Sequence, residues 1–300
     1  MNRPSSPSFF RPWVLVLMTL SSLSADDRGC VWRVAGPGAV VYLAGSVHLL
    51  READLPLPPA YELCYQESSR VVFEIDLQST KTAEGQGTAA RMGMLPQGEK
   101  LEDWLSPETM GLLRGYWRER KLPQNQMERL RPGMLAMTIT NLEAMRIGAF
   151  PQFGVEALFD RKAREDGKKV VALETLEQQL DLFNGMNRQE QDRLLRITLE
   201  DVAEAAQSLE AMIAAWREGD GVKLAEELNR NFEPEDAGLL KRLLHDRNEA
   251  WLPVIERALR EPGDGTTLFI VGAGHLVGDR SVISLLQAKG YQVAPWSVSR

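Results

Sequence analysis

The chain has 300 residues, of which 44% are hydrophobic, and it carries a formal net charge of −7 at pH 7. This length and hydrophobic content suffice to bury the core of a large globular domain, which excludes an intrinsically disordered chain. The lysines and arginines form no basic tract, so we expect neither nucleic acid nor an anionic membrane surface as a partner.

The first 25 residues have the layout of a secretory signal peptide. Arg3 and Arg11 precede the apolar run 13–20, and small residues then lead to Ala25. The run is shorter than the roughly 20 apolar residues that a membrane-spanning helix needs. We therefore predict cleavage near Ala25, export to the periplasm or beyond, and no stable membrane insertion afterwards. An uncleaved amphipathic anchor is the alternative.

Two cysteines, Cys30 and Cys64, lie in the part of the chain that would be exported. An even number of cysteines in an oxidising compartment is typical of disulfide pairing. We predict one disulfide that ties the mature N-terminus to the first helix, with two free buried thiols as the alternative. The sequence contains no C-x-x-C motif, which argues against redox catalysis.

The order of apolar runs predicts a single α/β domain over residues 26–300. Runs at 40–44 and 71–75 flank a short helix at 60–66, and this strand, helix, strand order is typical of a parallel crossover. The segment 78–98 is rich in Gly, Thr and Ala without a clear period, so we predict a loop over or beside the site.

The later elements complete the predicted fold. They are helices at 106–120, 154–165 and 280–289, strands at 169–173, 267–271 and 291–294, and charged helical stretches over about 175–260. We interpret the charged stretches as a helical cap or insertion. The fold class is therefore α/β, with a central mixed, partly parallel sheet flanked by helices.

Two of the three histidines occupy the same local pattern. Gly45 precedes His48 by three residues, and Gly272-Ala273-Gly274-His275 repeats the spacing after a second apolar strand. Where a parallel strand ends, glycine permits the tight turn that presents the next polar side chain to the crevice where α/β sheets bind ligands. We predict that both histidines converge on one polar site. A structural role, such as bonding a carbonyl, is the alternative.

Glu74 is a carboxylate set inside the apolar run 71–75. Burying a charge without a partner costs on the order of several kcal/mol, so Glu74 should face a cation, a donor or water. Two histidines and a carboxylate are also a common ligand set for a catalytic divalent ion. The alternative places Glu74 beside Asp76 on an exposed strand face, since the two share a face by period two.

Five short motifs follow one another along the chain. They are Y-L-A-G-S-V-H at 42–48, V-F-E at 72–74, L-E-T with Gln178 at 173–178, D-R-N at 246–248 and V-G-A-G-H at 271–275. In this order they resemble the TraB/PrgY/GumN family over almost the whole mature chain. That family is similar to the Tiki metalloproteases, and more distantly to erythromycin-esterase and ChaN-like haem-binding proteins. The resemblance implies a mixed sheet flanked by helices, with both histidines in a central cleft.

The same resemblance implies roles for individual residues. His48, Glu74 and His275 would hold a divalent ion such as Mn²⁺, Co²⁺ or Zn²⁺, and Arg247 would orient a carboxylate or stabilise an oxyanion. Glu74 or Glu174 would accept a proton from water. Helical periodicity alone favours Arg247 as a solvated surface residue. Glu174 is open to three interpretations: a second ligand, a partner of Arg247, or a carboxylate at a helix N-terminus.

The function that follows is an exported metal-dependent hydrolase, with a peptide or another small polar molecule as substrate. The alternative is a non-enzymatic protein that binds a peptide, a polysaccharide fragment or haem in the same cleft. Gly154 and Glu156 match the family's Gly-x-Glu segment at the start of a helix, whereas His245 has no motif context. Without H-E-x-x-H, G-x-S-x-G or a phosphate loop, the zincin, serine-hydrolase and nucleotide-binding classes lack support.

Overall fold

The computed structural model describes residues 28–261 and 265–297. The predicted signal peptide, at 1–25, lies outside the described residues. Within them, no helix is both long enough and apolar enough to cross a membrane.

A mixed sheet of six strands lies at the centre of the fold. The strands of the described chain are β1 (Val31–Ala35), β2 (Val40–Ser46), β3 (Leu50–Arg51), β4 (Ser68–Phe73), β5 (Ala149–Phe150), β6 (Lys169–Ala172), β7 (Thr266–Gly272) and β8 (Gln292–Pro295). The central sheet has the order β6-β4-β7-β2-β1-β8, and β3 pairs separately with β5. Neighbours from β6 to β2 are parallel, while β1 runs antiparallel to both β2 and β8. The predicted mixed, partly parallel sheet is confirmed.

Helices cover both faces of this sheet. The helices are α1 (Pro59–Gln66), α2 (Ala83–Gly93), α3 (Pro107–Arg120), α4 (Gln124–Met127), α5 (Pro132–Arg146), α6 (Val155–Glu165), α7 (Leu176–Asn184), α8 (Arg188–Asp201), α9 (Ala205–Glu218), α10 (Gly221–Asn229), α11 (Ala237–Leu240), α12 (Asp246–Arg260) and α13 (Val282–Ala288). A π-helical segment, Lys241–His245, leads directly into α12.

The central strands β2 and β7 are buried on both faces, as parallel strands usually are. Alternate residues of β7 enter different cores: Leu268 and Ile270 pack with α1, α6 and α9, whereas Phe269 and Val271 pack with α12 and α13. A third cluster joins α3, α5 and α8 away from the sheet. The helical layer is therefore larger than the predicted cap at 175–260, because it also includes α3 and α5.

Between β2 and β4 the predicted crossover needs one correction. The two strands run parallel, but β7 lies between them in the sheet. Since β7 comes from the far end of the chain, spacing along the sequence could not show this insertion. Its effect on the site is large, because β7 ends in the second glycine-histidine turn.

The segment 78–98 was wrongly predicted to be a loop. It contains a short 3₁₀ turn followed by the helix α2. Thr82 caps the helix by accepting a bond from the Gly85 N–H at 3.0 Å. A Cβ on Gly85 would lie 2.1 Å from the Ser79 carbonyl oxygen, so glycine is needed for this tight entry. The sequence of this helix shows no hydrophobic period, because its glycines have no side chains that could form an apolar face.

Cys30 and Cys64 are both free and buried in the structure, so the predicted disulfide is not formed there. Both thiols belong to the core between the sheet and α1. Burial raises the pKa of the Cys30 thiol to about 12 and raises that of Cys64 as well. The Cys64 thiol instead faces the Tyr61 carbonyl at 3.2 Å. The structure thus has the alternative, two buried protonated thiols that are inert by their high pKa.

Candidate functional site

The carboxyl ends of the parallel strands meet at one edge of the sheet. Ser46, the last residue of β2, is aligned with Gly272, the last residue of β7. At the other side of β7, Phe73 of β4 is aligned with Ala172 of β6. Glu74 follows directly after Phe73 and is buried. It stands just beyond the strand rather than inside it, so the predicted run 71–75 ends two residues early.

Gly272 marks the point where the predicted site residues come together. A Cβ placed on Gly272 would lie 3.1 Å from Oε1 of Glu74, 3.5 Å from Cδ2 of His275 and 3.7 Å from Nε2 of His48. All three side chains therefore border the same small space. Because this space holds no side chain from Gly272 itself, it stays open between the two histidines and the carboxylate.

His48 is held by the first turn of α6. Its Nδ1 lies 2.6 Å from Oε1 of Glu156, and the same oxygen accepts a short hydrogen bond from the Ser46 hydroxyl. The chain around His48 and the start of α6 are in close contact, since a Cβ on Gly154 would lie 2.1 Å from the His48 carbonyl oxygen. The Gly-x-Glu segment thus has two functions: glycine permits the approach, and glutamate binds the imidazole.

This contact sets the charge of His48. The negative charge of Glu156 raises the pKa of His48 to about 9, against the opposing effect of burial. With Nδ1 donating to the carboxylate, Nε2 is directed toward Glu74 and Gly272. A carboxylate on the far nitrogen is the usual way in which proteins orient a metal-binding or proton-transferring histidine.

His275 is fixed in the opposite protonation state. Its Nδ1 lies 2.7 Å from Oδ1 of Asn248, whose amide nitrogen donates to the Arg280 carbonyl at 2.9 Å. Its Nε2 lies 2.9 Å from Nη1 of Arg247, which can only donate. The ring therefore carries its proton on Nδ1 and a lone pair on Nε2. Burial lowers the pKa of His275 to about 3, which keeps the imidazole neutral.

Arg247 lies at the centre of the site, with a side chain only 11% exposed. It donates to Glu74 at 2.5 Å and makes a two-pronged pair with Glu174 at 2.8 and 2.9 Å. The guanidinium also packs over the ring of Trp251, 4.8 Å from its centroid. The π-helical segment positions it, because Arg247 reaches back to the Leu243 carbonyl at 3.2 Å. The expectation of a solvated arginine from periodicity is wrong.

Glu74 is ionised despite its burial. Burial alone would raise its pKa, but the charge that His275 carries below its own pKa, together with Arg247, His48 and the Gly272 N–H, outweighs burial and lowers the pKa of Glu74 to about 2. The Gly272 N–H donates to Oε1 at 2.6 Å, and Gln179 donates to Oε2 at 3.1 Å. The alternative of an exposed Glu74 is wrong, whereas Asp76 is half-exposed and pairs with an arginine of α6.

Of the three interpretations for Glu174, the structure places it as the partner of Arg247. Trp251 donates to Glu174 at 3.0 Å, so both carboxylate oxygens are occupied. Glu174 therefore orients Arg247, whereas Glu74 borders the open space beside Gly272.

Several functional neighbours were missed from the sequence. Glu156 and Asn248 were noted only as members of motifs, and Gln179 and Trp251 were not noted. Glu156, Asn248 and Gln179 carry no spacing signal, since each contacts a site residue at least 27 positions away. Trp251 lies one helical turn after Arg247, and this spacing could have identified it as a neighbour. His245 remains outside this set, because it lies in the π-helical segment and does not border the cavity that contains the site.

A cavity of about 790 Å³ opens from the polar edge into the helical layer. Its polar end contains Ser46, His48, Glu74, Arg247 and His275. Its walls come mainly from apolar side chains of α5, α7, α9 and α10, together with the π-helical segment. The helical layer thus covers the strand ends, and the site is the floor of a deep, mostly apolar chamber.

The donor atoms of the site include those that bind divalent ions. Glu74 Oε1 and His275 Nε2 are 3.8 Å apart, and His48 Nε2 faces the same space, so the chemistry suits Mn²⁺, Co²⁺ or Zn²⁺. Even so, no three His, Cys, Asp or Glu side chains of the described chain form a ready-made metal site. In addition, N–H groups of Arg247 cover His275 Nε2 and Glu74 Oε2. An ion and Arg247 would compete for these two residues.

The fold and site define an α/β protein with a polar centre at the strand ends, roofed by helices. A model of the TraB/PrgY/gumN family matches residues 30–295, so the chain belongs to this family. The resemblance drawn from the five motifs is therefore confirmed.

Individual proteins similar to this chain share about a quarter of their residues with it. The chain is similar to a "Metalloprotease TIKI homolog" of Amphimedon queenslandica, with 28% identity over 57% of this chain and 38% of the relative. It is similar to "Metalloprotease TIKI1" of Homo sapiens, with 25% identity over 84% of this chain and 59% of the relative. "Uncharacterized protein YbaP" of Escherichia coli K12 is 24% identical over 82% and 87% of the two chains. The matched regions cover less than two thirds of these metalloproteases. No solved structure gives a significant match.

Proposed function

We propose that this chain is an exported hydrolase of the metallopeptidase type, with its reaction centre at His48, Glu74 and His275. The observation that carries the proposal is the convergence of these three side chains around Gly272 at the end of the apolar chamber. The metalloprotease relatives support a protease over other hydrolases. Export rests on the signal-peptide layout of the first 25 residues.

Each site residue has a task in this proposal. Glu74, His275 Nε2 and His48 Nε2, the last after it has lost its proton, would hold a divalent ion, which when bound makes a coordinated water more acidic. Glu156 and Asn248 hold the two imidazoles with Nε2 directed inward. Glu74, which borders the same space as the two imidazoles, would accept a proton in this proposal. Arg247, held by Glu174, stabilises negative charge that develops on a substrate carbonyl oxygen.

The experiment combines metal uptake with cleavage. Purified protein is dialysed against Mn²⁺, Co²⁺ or Zn²⁺, analysed for bound metal, and assayed with a quenched fluorescent peptide library. We expect the native chain to bind stoichiometric metal and to cleave peptide. In His48→Ala and His275→Ala, the metal affinity and the cleavage rate should each fall at least tenfold. His245→Ala serves as the matched control and should behave as the native chain. A chain that takes up no ion, and whose cleavage survives both replacements, contradicts the proposal.

A second function is favoured by Arg247, which already neutralises Glu74 and covers His275. A site closed in this way suits binding without turnover, of a peptide, a polysaccharide fragment or haem. Titration with haem, followed by absorbance, distinguishes this candidate from the first. A Soret shift that requires His48, together with no peptide cleavage, would favour the binding protein.

A further inference from the structure

The walls of the chamber indicate the kind of substrate that the site accepts. Beyond the polar floor, the lining consists largely of aliphatic, methionine and phenylalanine side chains from the helical layer, including Met137, Leu180, Phe183, Leu209, Met212 and Leu228. Its volume of about 790 Å³ lies in the upper part of the usual range for ligand pockets, roughly 300–1,000 Å³. Such a chamber gains affinity by removing apolar surface of the ligand from water.

The charged side chains that line the chamber narrow the class of ligand further. Carboxylates of Glu143, Asp201 and Glu227 line the chamber in addition to Glu74, and each already has a partner. Arginines pair with Glu143 and Glu227, and an asparagine donates to Asp201. The cationic groups that line it among the described residues are already matched, since Arg247 pairs with two glutamates and His48 with Glu156. Neither an acidic nor a basic ligand would therefore find an unmatched group of opposite charge among these residues, which favours an uncharged ligand.

We propose that the chamber binds an uncharged peptide segment with bulky aliphatic or aromatic side chains, next to the bond presented at the strand edge. This inference rests on the proposed function for the reacting bond, but it concerns recognition alone. A fatty acid has the same apolar chain, yet its carboxylate would meet no unmatched cation, since Arg247 and His48 are already paired. The wall charges therefore favour the peptide.

Binding can be measured separately from turnover. Fluorescein-labelled octapeptides are titrated in EDTA and followed by anisotropy. One contains three leucines among serines and glycines, and two matched peptides replace the leucines with serine or glutamate. We expect the leucine peptide to bind at least tenfold more tightly than either. Equal affinities, or tighter binding of the glutamate peptide, would overturn the inference, as would displacement by dodecanoate at lower concentrations than by the leucine peptide.

Variants of α9 locate the binding in the chamber. Ala205→Phe and Met212→Trp add bulk to the lining of the chamber and should weaken the binding of the leucine peptide at least fivefold. Ala206→Phe adds the same bulk at the neighbouring exposed position, outside the lining, and should leave affinity unchanged. If both wall variants are folded by circular dichroism and bind normally, the chamber is not the binding site.

The outcomes separate this inference from the proposed hydrolase. Selective binding of the leucine peptide without any cleavage supports the recognition and contradicts the hydrolase. Efficient cleavage of acidic peptides supports the hydrolase and contradicts the recognition.

Discussion

Glu156 binds His48 through Nδ1 at 2.6 Å, from the first turn of a helix more than a hundred residues further along the chain. The pair connects the turn after β2, which carries His48, to the first turn of α6, which carries Glu156. Its consequence is chemical: the carboxylate selects which imidazole nitrogen faces the chamber.

The first prediction concerns Glu156→Gln. Loss of the carboxylate should lower the pKa of His48 from about 9 toward its ordinary 6.5. Because the folded pKa is raised, the native pair stabilises the fold fully below pH 6.5 and loses this effect as pH rises toward 9. The variant should remove that pH dependence, which amounts to at most about 1 kcal/mol since His48 is largely exposed to the chamber. NMR titration of the His48 ring, in EDTA, measures the pKa. An unchanged pKa would show that Glu156 does not control it.

Asn248→Ala tests how His275 is held. The replacement leaves the buried Nδ1–H of His275 without an acceptor, which should lower the free energy of unfolding by about 1–3 kcal/mol. Urea denaturation at pH 7 measures the change. Asn229→Ala, at an exposed helix end, is the control and should alter stability by less than about 0.5 kcal/mol. Nitrogen chemical shifts that place the native His275 proton on Nε2 would contradict the assigned tautomer.

Arg247→Gln removes the cation shared by Glu74 and Glu174. Two buried carboxylates are then left facing each other, so we expect a loss of about 3–5 kcal/mol at pH 7. The pKa of Glu74 should rise from about 2, because burial then dominates. A raised folded pKa makes the penalty greatest at high pH and smaller as pH falls, so the variant should recover stability on acidification. Adding Glu174→Gln should restore part of the loss at pH 7. A loss that is the same at every pH would be inconsistent with the ion-pair account.

The competition between Arg247 and an ion gives a fourth prediction. In Arg247→Gln, the lone pair of His275 Nε2 and one oxygen of Glu74 no longer receive N–H donors. We expect Zn²⁺ or Mn²⁺ to bind at least tenfold more tightly to the variant, as measured by isothermal titration calorimetry. The double variant Arg247→Gln with His48→Ala should lose this gain. Unaltered affinity in the single variant would show that the guanidinium and the ion do not share these atoms.

Gly154→Ala tests the close approach between α6 and the chain at His48. The added Cβ would lie 2.1 Å from the His48 carbonyl oxygen, so the backbone must shift. We expect a loss of about 1–3 kcal/mol, together with a lower His48 pKa as Glu156 moves away. Gly111→Ala in α3 is the matched control, because nothing lies within 4 Å of its added Cβ. There the change should stabilise the helix by about 0.5–1 kcal/mol. Similar effects of the two replacements would argue against the close contact.

Local patterns determined much of this protein. The apolar runs of β2, β4, β6 and β7 identify the strands, because strands buried on both faces are continuous in their hydrophobicity. The two Gly-x-x-His turns identify the strand ends that carry polar groups. Glu74 is identifiable as a misfit in an apolar run, since burial of a lone charge is too costly to be accidental.

What the tertiary structure decided is how distant parts of the chain meet. Only the insertion of β7 between β2 and β4 brings the turns at Gly45 and Gly272 to the same edge as Glu74. The burial of Arg247 likewise depends on long-range contacts with Glu74 and Glu174, which helical periodicity cannot register. The two glycine-histidine turns look alike in sequence, yet Glu156 makes one imidazole basic and burial beside Arg247 keeps the other neutral. That difference arises because the pKa of each imidazole depends on the groups that surround it in space, and these groups are distant in sequence.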